Sequence, residues 1–413
     1  MKTLLILGAG TGGTMVANKM AQKLDPRKWN IIIVDKDESH YYQPGFLFVP
    51  FGYSTPENLT KKKKRFIPPQ AELIISDIEI IQPEKDQVVL SNKRTIEYDQ
   101  LVIATGSHIR PDEIEGMLDG GGWQNNIFDF YTIDGADKLG QHLNKFEGGR
   151  LVLNIAEMPI KCPIAPLEFI FLADDYFREK GLRDKVDLVF TTPLSGAFTK
   201  PIASASLGSL LKDKGIHIET DFNIAQVDAG KNQISSWDER KIDYDLLVTI
   251  PTNMGAEIIG RSEMGDELNY VPTNKHTLQS DNWENVWIIG DAGNLPTSKA
   301  GSVAHFMLET ITDNIFRAIA GFDPLPTFDG HANCFIETGH SKGILIDFNY
   351  ETEPLTGTYP LAGVGPFSLL KETRLNHLGK ISFEWVYWNL MLKGKHIPVP
   401  NQMSMSGKIL QSN

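Results

Sequence analysis

The chain is built from short apolar runs that end in a glycine or an acidic residue. The first run, Thr3–Leu7, passes through several glycines into Thr14–Leu24, and a second run, Trp29–Val34, stops at Asp35. Apolar runs of this length between turn residues are typical of buried strands, and the longer segment between them reads as a helix. The opening therefore predicts a strand, a glycine turn, a helix and a second strand.

Segments of the same kind recur through the chain. Tyr244–Ile250 repeats the pattern of Tyr98–Ala104, and Leu151–Ala156 opens a second alternation of strands and helices. This repetition predicts two similar nucleotide-binding-type domains, the second inserted in the first. The further predicted strands are Val186–Thr191, Ile216–Thr220 and Val286–Ile289, the predicted helices are Pro166–Lys180 and Ala203–Lys214, and small meanders are predicted near Leu73–Leu90 and Ile224–Ile234.

The glycine turn carries the first chemical prediction. Gly8, Gly10 and Gly13 allow the backbone to approach a diphosphate that lies against the N-terminus of the following helix. Asp35 ends the next strand at about the 20-residue spacing at which an acidic side chain bonds the adenosine ribose. Strand, turn, helix and acid together predict a bound adenine dinucleotide.

A second set of residues favours FAD over NAD. Gly290 and Asp291 follow the predicted strand at Val286, where a carboxylate can accept a hydrogen bond from a ribityl hydroxyl. Another strand runs into a glycine turn at Ala104, Thr105 and Gly106. Pro44 lies in a loop whose aromatic residues could pack around a flat ring, although ordinary core packing explains any one of them equally well.

The predicted fold class is α/β, with two Rossmann-like dinucleotide-binding domains and a C-terminal amphipathic region. A length of 413 residues agrees with two or three domains. The predicted segments are 1–110 and 281–330 for the two parts of the FAD-binding domain, 111–280 for the second domain, and 331–413 for the C-terminal region.

Composition excludes some classes of function. The apolar fraction of 41% and charged fraction of 22% are typical of a globular protein, and a net charge of −12 argues against nucleic acid as a partner. Lys61–Arg65, a lone basic run, is interpreted as a solvated loop, with a contact to anionic lipid as the less favoured alternative. The dinucleotide-binding pattern begins at Thr3, which leaves no room for a secretion signal. There is also no apolar run of about 18 residues, so we expect a protein of the cytoplasm.

The chain has two cysteines, Cys162 and Cys334, without the spacing of a zinc, haem or iron–sulfur site, so no metal is expected. Lone thiols in a reducing compartment are usually inert. The turn after Leu151–Asn154 differs from the glycine turn of the first domain. It has no glycine to admit a second dinucleotide and instead holds Cys162 between prolines. This turn predicts a positioned, reactive thiol and a poor site for NADH.

These residues resemble the two-dinucleotide-binding-domain flavoproteins, and within them the sulfide:quinone oxidoreductases, which are related to flavocytochrome c sulfide dehydrogenase and type 2 NADH dehydrogenase. The resemblance covers almost the whole chain. Its most specific parts are Ile160–Phe169, Gly290–His305, Cys334–Glu337 and Asn376–Trp388.

The resemblance implies that Cys162 and Cys334 form a bridge that hydrosulfide attacks. A persulfide then forms on Cys162, Cys334 passes two electrons to FAD, and polysulfide or sulfur leaves while the electrons reach a membrane quinone. Glu168 matches an acid near the cysteines and is the candidate for proton handling, with an ordinary first-turn helix acid as the equal alternative.

The resemblance also assigns the two faces of the flavin. Lys299, followed by Ala300 and Gly301, would place a cation or a helix N-terminus near the ring. The matching quinone-site residues are Phe335, Lys380 and Phe383. Many members carry a third cysteine between the positions of Gly106 and Leu151, which this chain lacks, so FAD is expected to be non-covalent.

The C-terminal segment suggests a membrane. If Lys380–Leu392 is a helix, its apolar and aromatic residues form a wide arc suited to the headgroup boundary. We therefore expect a peripheral, monotopic protein on the cytoplasmic side of the cell membrane. A helix docked on the core, or on a second copy in a homo-oligomer, is the alternative. The residues of the predicted arc are Ile381, Trp385, Val386, Trp388 and Met391.

The predicted activity is oxidation of sulfide with quinone as acceptor. The alternatives are a type 2 NADH:quinone oxidoreductase, against which the glycine-free turn counts, and a flavoprotein that carries a persulfide without quinone turnover. Flavocytochrome c sulfide dehydrogenase would need a periplasmic signal and a haem partner, and the sequence shows neither.

Overall fold

A computed structural model describes residues 1–410 and contains two five-stranded parallel sheets. The opening strand lies at the centre of the first sheet, and its residues Leu4–Leu7 are fully buried because helices and loops cover both faces. In spatial order the first sheet consists of Val286–Ile288, Gln100–Ile103, Lys2–Leu7, Trp29–Asp35 and Ala71–Ile75. The second sheet consists of Ile127–Phe128, Leu246–Ile250, Gly149–Ile155, Val186–Thr191 and His217–Glu219.

The two sheets are built alike, down to a matching hydrogen bond. Asp99 Oδ2 accepts from the Thr3 N–H at 2.7 Å, and Asp245 Oδ2 accepts from the Arg150 N–H at 2.6 Å, in each case at the start of the central strand. Each sheet also has its own three-stranded meander. These are Ile78–Gln82, Gln87–Leu90 and Thr95–Glu97 in the first domain, and Ile224–Asp228, Gln233–Ser236 and Lys241–Asp243 in the second.

The second domain is inserted in the first, as predicted. The chain leaves the first sheet through Ser107–Arg110 and returns through Thr252–Gly255, and these strands pair antiparallel. Val286–Ile288 then joins the first sheet beside Gln100–Ile103. The predicted α/β fold class is thus confirmed, whereas the exact domain boundaries stay predictions, and residues 411–413 of the last one lie outside the described residues.

One predicted meander was wrong in its first strand. Ala71–Ile75 does not join the meander but pairs in parallel with Trp29–Asp35 at the edge of the first sheet. The meander begins at Ile78, because Ser76 and Asp77 interrupt the apolar alternation.

In residues 1–410, seven α-helices cover the sheets. Two of them are capped by threonine: Thr132 Oγ1 accepts from the Gly135 N–H and Thr373 Oγ1 accepts from the Asn376 N–H, both at 3.0 Å. The helices are Thr11–Lys23, Ile133–Leu143, Ala165–Glu179, Pro201–Asp213, Glu257–Arg261, Gly301–Ile319 and Arg374–Val386.

The C-terminal region is a third sheet with a helix, Arg374–Val386, packed on it. We call this helix, with the π-helical turn Tyr387–Met391 that extends it, the tail helix. The strands are, in spatial order, Ala332–Gly339, Lys342–Phe348, Gly365–Leu369, Thr356–Leu361 and Lys408–Ile409. The tail helix ends on the first domain, where Tyr387 Oη lies 2.7 Å from Thr11 Oγ1 and 2.7 Å from His40 Nε2.

This docking corrects the predicted apolar arc. Ile381 and Trp385 are exposed, but Trp388 and Met391 are buried in the core. The arc was therefore wrong in its second half, because the π-helical turn rotates these side chains inward. Among residues 1–410, no helix has the length and apolar character that crossing a bilayer demands.

Candidate active site

The first glycine turn has the shape of a diphosphate cradle. A Cβ at Gly13 would lie 1.8 Å from the Gly8 carbonyl oxygen, so no side chain fits there. Around Gly10 a Cβ would meet no atom within 4 Å, which leaves open space in front of the helix N-terminus. That helix has no side-chain cap, so its first N–H groups are free for an anion.

Asp35 ends its strand beside this turn, as predicted. Its Oδ2 accepts from the Ala9 N–H at 2.6 Å, and its Oδ1 accepts from Lys63 Nζ at 2.6 Å. Lys63 is buried, so the interpretation of the basic run as a wholly solvated loop was wrong at this position. The two contacts hold the carboxylate at the edge of the turn, where a ribose would lie.

The predicted FAD residues Ala104–Gly106 and Gly290–Asp291 lie at the same edge of the first sheet. Strands Gln100–Ile103 and Val286–Ile288 are neighbours, so the turns that follow them lie side by side. Thr105 Oγ1 is buried and has no hydrogen-bond partner within residues 1–410. Asp291 Oδ2 accepts from Ser107 Oγ at 3.3 Å. A buried hydroxyl without a partner is expected where a bound polar group would complete its bonding.

Lys299 is more constrained than the sequence suggests. Its Nζ donates to the carbonyl oxygens of Asp291 and Gly293 at 3.0 and 2.7 Å and lies 3.7 Å from the centre of the Tyr270 ring. Burial lowers its pKa to about 8. The helix Gly301–Ile319 begins two residues later with Ala300 as its uncapped N-cap, so a helix N-terminus faces this small cavity beside Gly290 and Asp291.

The turn that carries Cys162 is fixed to this same segment. The Cys162 N–H donates to the Lys299 carbonyl at 2.6 Å, and the Cys162 carbonyl accepts from the Ala165 N–H and from Tyr131 Oη. Cys162 has φ +46°, a left-handed conformation that costs a residue with a Cβ about 1 kcal/mol or more. These contacts hold the strained backbone of Cys162, the residue whose thiol the sequence predicts to be reactive.

Both cysteines are free and partly buried, and both pack against the main hydrophobic core. Burial, with a smaller contribution from Glu168, raises the pKa of Cys162 to about 11, and Lys380 opposes the rise. Burial also raises the pKa of Cys334 well above its usual value, and the charge of Cys162 adds to this effect. As free thiols, both would hold their protons at neutral pH.

Glu168 and Lys380 form a buried ion pair between these thiols and the predicted quinone site. Lys380 Nζ lies 2.8 and 2.9 Å from the two Glu168 carboxylate oxygens and 3.2 Å from the Phe335 carbonyl. Burial alone would lower the pKa of Lys380, but Glu168 and Cys162 raise it overall. Glu168, the predicted proton-handling acid, and Lys380, the predicted quinone-site lysine, thus form a single ion pair.

The predicted quinone-site aromatics, Phe335 and Phe383, each pack near another aromatic ring. Phe335 meets Phe367 edge to face at 5.1 Å, and both rings pack against Gly379, where a Cβ would lie 2.7 Å from the Phe335 ring. Phe383 lies 6.5 Å from Tyr42 between ring centres. Pro44 follows Tyr42 in the 3-10 segment Gln43–Phe48.

Sequence reasoning missed Lys161, which lies next to Cys162. Its Nζ donates to the Ser107 carbonyl at 3.3 Å, and burial lowers its pKa against the opposing charge of Asp291. A second cation therefore faces the predicted flavin site. Its position in the glycine-free turn was visible in the sequence, but its partners lie in the other domain.

The chain matches known proteins over nearly all of its length. Residues 2–154 match the family model described as pyridine nucleotide-disulphide oxidoreductase. The mitochondrial sulfide:quinone oxidoreductases of Dictyostelium discoideum and Mus musculus are 29% and 26% identical, over 95% of this chain and 86% of those proteins. The X-ray structure of the Aquifex aeolicus sulfide:quinone oxidoreductase superposes with a TM-score of 0.78 at 18% identity, covering 96% of this chain and 92% of that one.

The fold and the site define a two-dinucleotide-binding-domain flavoprotein, an FAD-dependent oxidoreductase. Within that class the chain is similar along nearly its whole length to the sulfide:quinone oxidoreductases, which confirms the family resemblance that the motifs indicate. The residues present fit FAD, since the open cradle, the acidic strand end and the unpartnered threonine lie along one sheet edge.

Proposed function

We propose that this chain oxidises sulfide to polysulfide or sulfur through Cys162 and Cys334 and passes the electrons through FAD to a membrane quinone. The observation that carries the proposal is the arrangement of the site: Glu168 and Lys380 act electrostatically on both thiols, and the Lys380 ammonium also contacts the Phe335 carbonyl. FAD, when bound, accepts two electrons from the thiols and delivers them to the quinone.

The cysteine step begins with the Cys162–Cys334 bridge. Hydrosulfide attacks the Cys162 sulfur, the bridge breaks, and a persulfide on Cys162 and a thiolate on Cys334 result. A second hydrosulfide removes the outer sulfur as a disulfane and leaves the Cys162 thiolate. Re-forming the bridge then releases two electrons. The backbone contacts of Cys162 hold its sulfur in place through these steps.

The Lys380–Glu168 pair serves both halves of this chemistry. Because burial raises the pKa of both thiols, each thiolate that forms needs a nearby cation or proton, which Lys380 supplies. Lys380 and Phe335 are also the residues proposed to contact the quinone. One charged group thus lies between the sulfur side and the quinone side.

The structure of the second domain counts against NADH as the electron donor. In the first domain three residues, 8–10, separate the central strand from its helix. In the second domain nine residues, 156–164, separate Gly149–Ile155 from Ala165–Glu179. The second helix therefore does not start directly behind its strand, as a dinucleotide diphosphate requires.

An exposed apolar stripe supports association with a membrane. Leu375, Leu378, Ile381 and Trp385 lie on one face of the tail helix and are 48–60% exposed. A stripe of this kind can lie in the headgroup boundary, where a quinone would enter. We propose that the protein binds the cytoplasmic side of the membrane peripherally through this face, and a second copy of the chain is the competing occupant.

Anaerobic bleaching of the flavin in the purified holoenzyme tests the function. Sulfide is added to one sample and NADH to another, and a short-chain quinone is then added to each. We expect sulfide to bleach the flavin and quinone to restore it. Rapid bleaching by NADH with no response to sulfide would overturn the proposal and favour the NADH:quinone alternative. A stable persulfide that quinone does not discharge would favour the carrier alternative.

A further inference from the structure

Reduction of a quinone in the proposed reaction requires protons at a buried place. Two hydrosulfides, a quinone and one proton from solvent give the disulfane anion HSS⁻ and a quinol, with two electrons moved from sulfur to the quinone. Two protons must reach the quinone oxygens in each turnover. Glu168 and Lys380, beside the proposed quinone site, are only 1% and 12% exposed. A path from solvent to this pair is therefore needed.

A second acid–base pair lies beside the first. Glu337 is two residues after Phe335 on the same strand, and its N–H donates to Glu168 Oε1 at 2.8 Å. Its Oε2 lies 2.8 Å from His377 Nδ1. His377 and Lys380 are one turn apart on the tail helix, so both face this strand. Exposure rises from 2% at Glu337 to 24% at His377.

We propose that His377 and Glu337 carry protons from solvent to the Lys380–Glu168 pair and so to the quinone. This inference rests on the proposed function. Within residues 1–410, Glu337 Oε1 is buried and has no hydrogen-bond partner. A carboxylate with a purely structural role is normally satisfied at both oxygens, whereas an oxygen free to bond a proton or a water suits transfer.

Burial allows Glu337 to change protonation near neutral pH. Burial, with a smaller contribution from Glu168, raises its pKa to about 7 against the lowering effect of the hydrogen bond from His377. The residue that faces it on the paired strand is Gly343, which has no charge. The titratable groups that face Glu337 are Glu168 from Ala165–Glu179, His377 and Lys380 from the tail helix, and Tyr53 from the loop after Gln43–Phe48.

The test separates proton delivery from electron transfer. Holoenzyme is reduced anaerobically with dithionite and mixed in a stopped-flow instrument with a short-chain ubiquinone or with ferricyanide, which takes electrons without protons, from pH 6 to pH 9. For Glu337→Gln we expect reoxidation by quinone to slow by about tenfold or more and its dependence on pH near 7 to vanish. His377→Gln should slow the same reaction, and ferricyanide should reoxidise both variants within about twofold of the wild-type rate.

His340→Gln is the matched control. His340 pairs with Asp175 at 2.6 Å just beyond the end of the same strand, but it is 54% exposed and lies outside the path. Wild-type rates of reoxidation by quinone in both Glu337→Gln and His377→Gln would overturn the relay. So would a relay variant that quinone and ferricyanide reoxidise with equal slowing, or a His340→Gln variant that slows as much as the relay variants. If Glu337→Gln does not fold, the reoxidation kinetics of His377→Gln with quinone and ferricyanide test the relay. A reduced wild-type enzyme that quinone does not reoxidise would instead overturn the proposed function, and the relay with it.

Discussion

Lys380 Nζ lies within 2.9 Å of both carboxylate oxygens of Glu168, although 212 positions separate these residues in the chain. The pair joins the helix that follows Cys162 to the tail helix, and both side chains are buried. The Phe335 carbonyl accepts a further bond from the same ammonium group. The proposed cysteine side and the proposed quinone side of the site therefore share one buried ion pair.

Removing one partner of this pair should destabilise the protein. Lys380→Met leaves the Glu168 carboxylate buried without a cation, at a cost of about 3–5 kcal/mol in the free energy of unfolding. The double variant Glu168→Gln, Lys380→Met should recover most of that loss. Urea unfolding of the three proteins measures the effect, and an unchanged midpoint in Lys380→Met would show that the pair is not strongly coupled.

The two cysteines should be needed for the reaction with sulfide but not for the cofactor. Cys162→Ser and Cys334→Ser should retain yellow FAD, because neither side chain belongs to the glycine turn, and sulfide-driven bleaching should fall by at least about a hundredfold. Anaerobic stopped-flow absorbance measures this, with dithionite bleaching as the control. Full activity in either single variant would remove the bridge from the mechanism.

The glycine turn should tolerate no side chain at Gly13. Gly13→Ala brings a Cβ to 1.8 Å from the Gly8 carbonyl oxygen, so the turn must open and the protein should purify with little flavin. Gly208→Ala is the control, since it lies in the helix Pro201–Asp213 with no atom within 4 Å of its Cβ. The ratio of flavin to protein absorbance measures the loss, and a normal ratio in Gly13→Ala contradicts the cradle.

Stability should depend on pH through Glu337. A raised pKa means that the native state holds the proton more tightly than the unfolded chain, so the stabilisation is complete below the unfolded pKa of about 4.3 and is lost as pH rises through about 7. Relative to Glu337→Gln, the wild type should lose about 3 kcal/mol of unfolding free energy across that window. Denaturation from pH 4.5 to 8 measures it, and a flat or rising difference would contradict the assignment.

The exposed stripe of the tail helix should bind vesicles. Leu378→Glu with Trp385→Glu removes two exposed apolar side chains, each worth about 1.5–3 kcal/mol when buried, so flotation with anionic liposomes should weaken more than tenfold. Trp237→Glu is the control, because Trp237 is even more exposed (77% against 60% for Trp385) and lies in the second domain, directly after the strand Gln233–Ser236. If flotation is unchanged, and the wild type is a dimer while the variant is a monomer, the stripe binds a second copy of the chain and not a membrane.

Sequence reasoning found the residues whose role depends on local backbone geometry. Gly8, Gly13 and Asp35 lie where the alternation of strand, turn and helix predicts them, because such a unit is complete within about 35 residues. The arc on the tail helix was wrong at Trp388 and Met391, since the sequence pattern assumed a regular helix and the chain forms a π-helical turn there.

Contacts between distant segments could not be predicted in the same way. Lys63 belonged to a charged run that looks solvated, yet it is buried against Asp35. Glu337 and His377 had no motif of their own, and only the packing of the tail helix on the Cys334 strand brings them together.

The sequence by itself determined the main alternation of strands and helices in the two nucleotide-binding-type domains, the glycine turn and the glycine-free turn at Cys162, because each depends on residues that are neighbours in the chain. It did not predict the C-terminal sheet. Only the tertiary structure decided which charges meet. Glu168, Lys380, Glu337 and His377 come from three elements, and the energies of buried charges depend on distances and solvent access that exist only after the elements have packed.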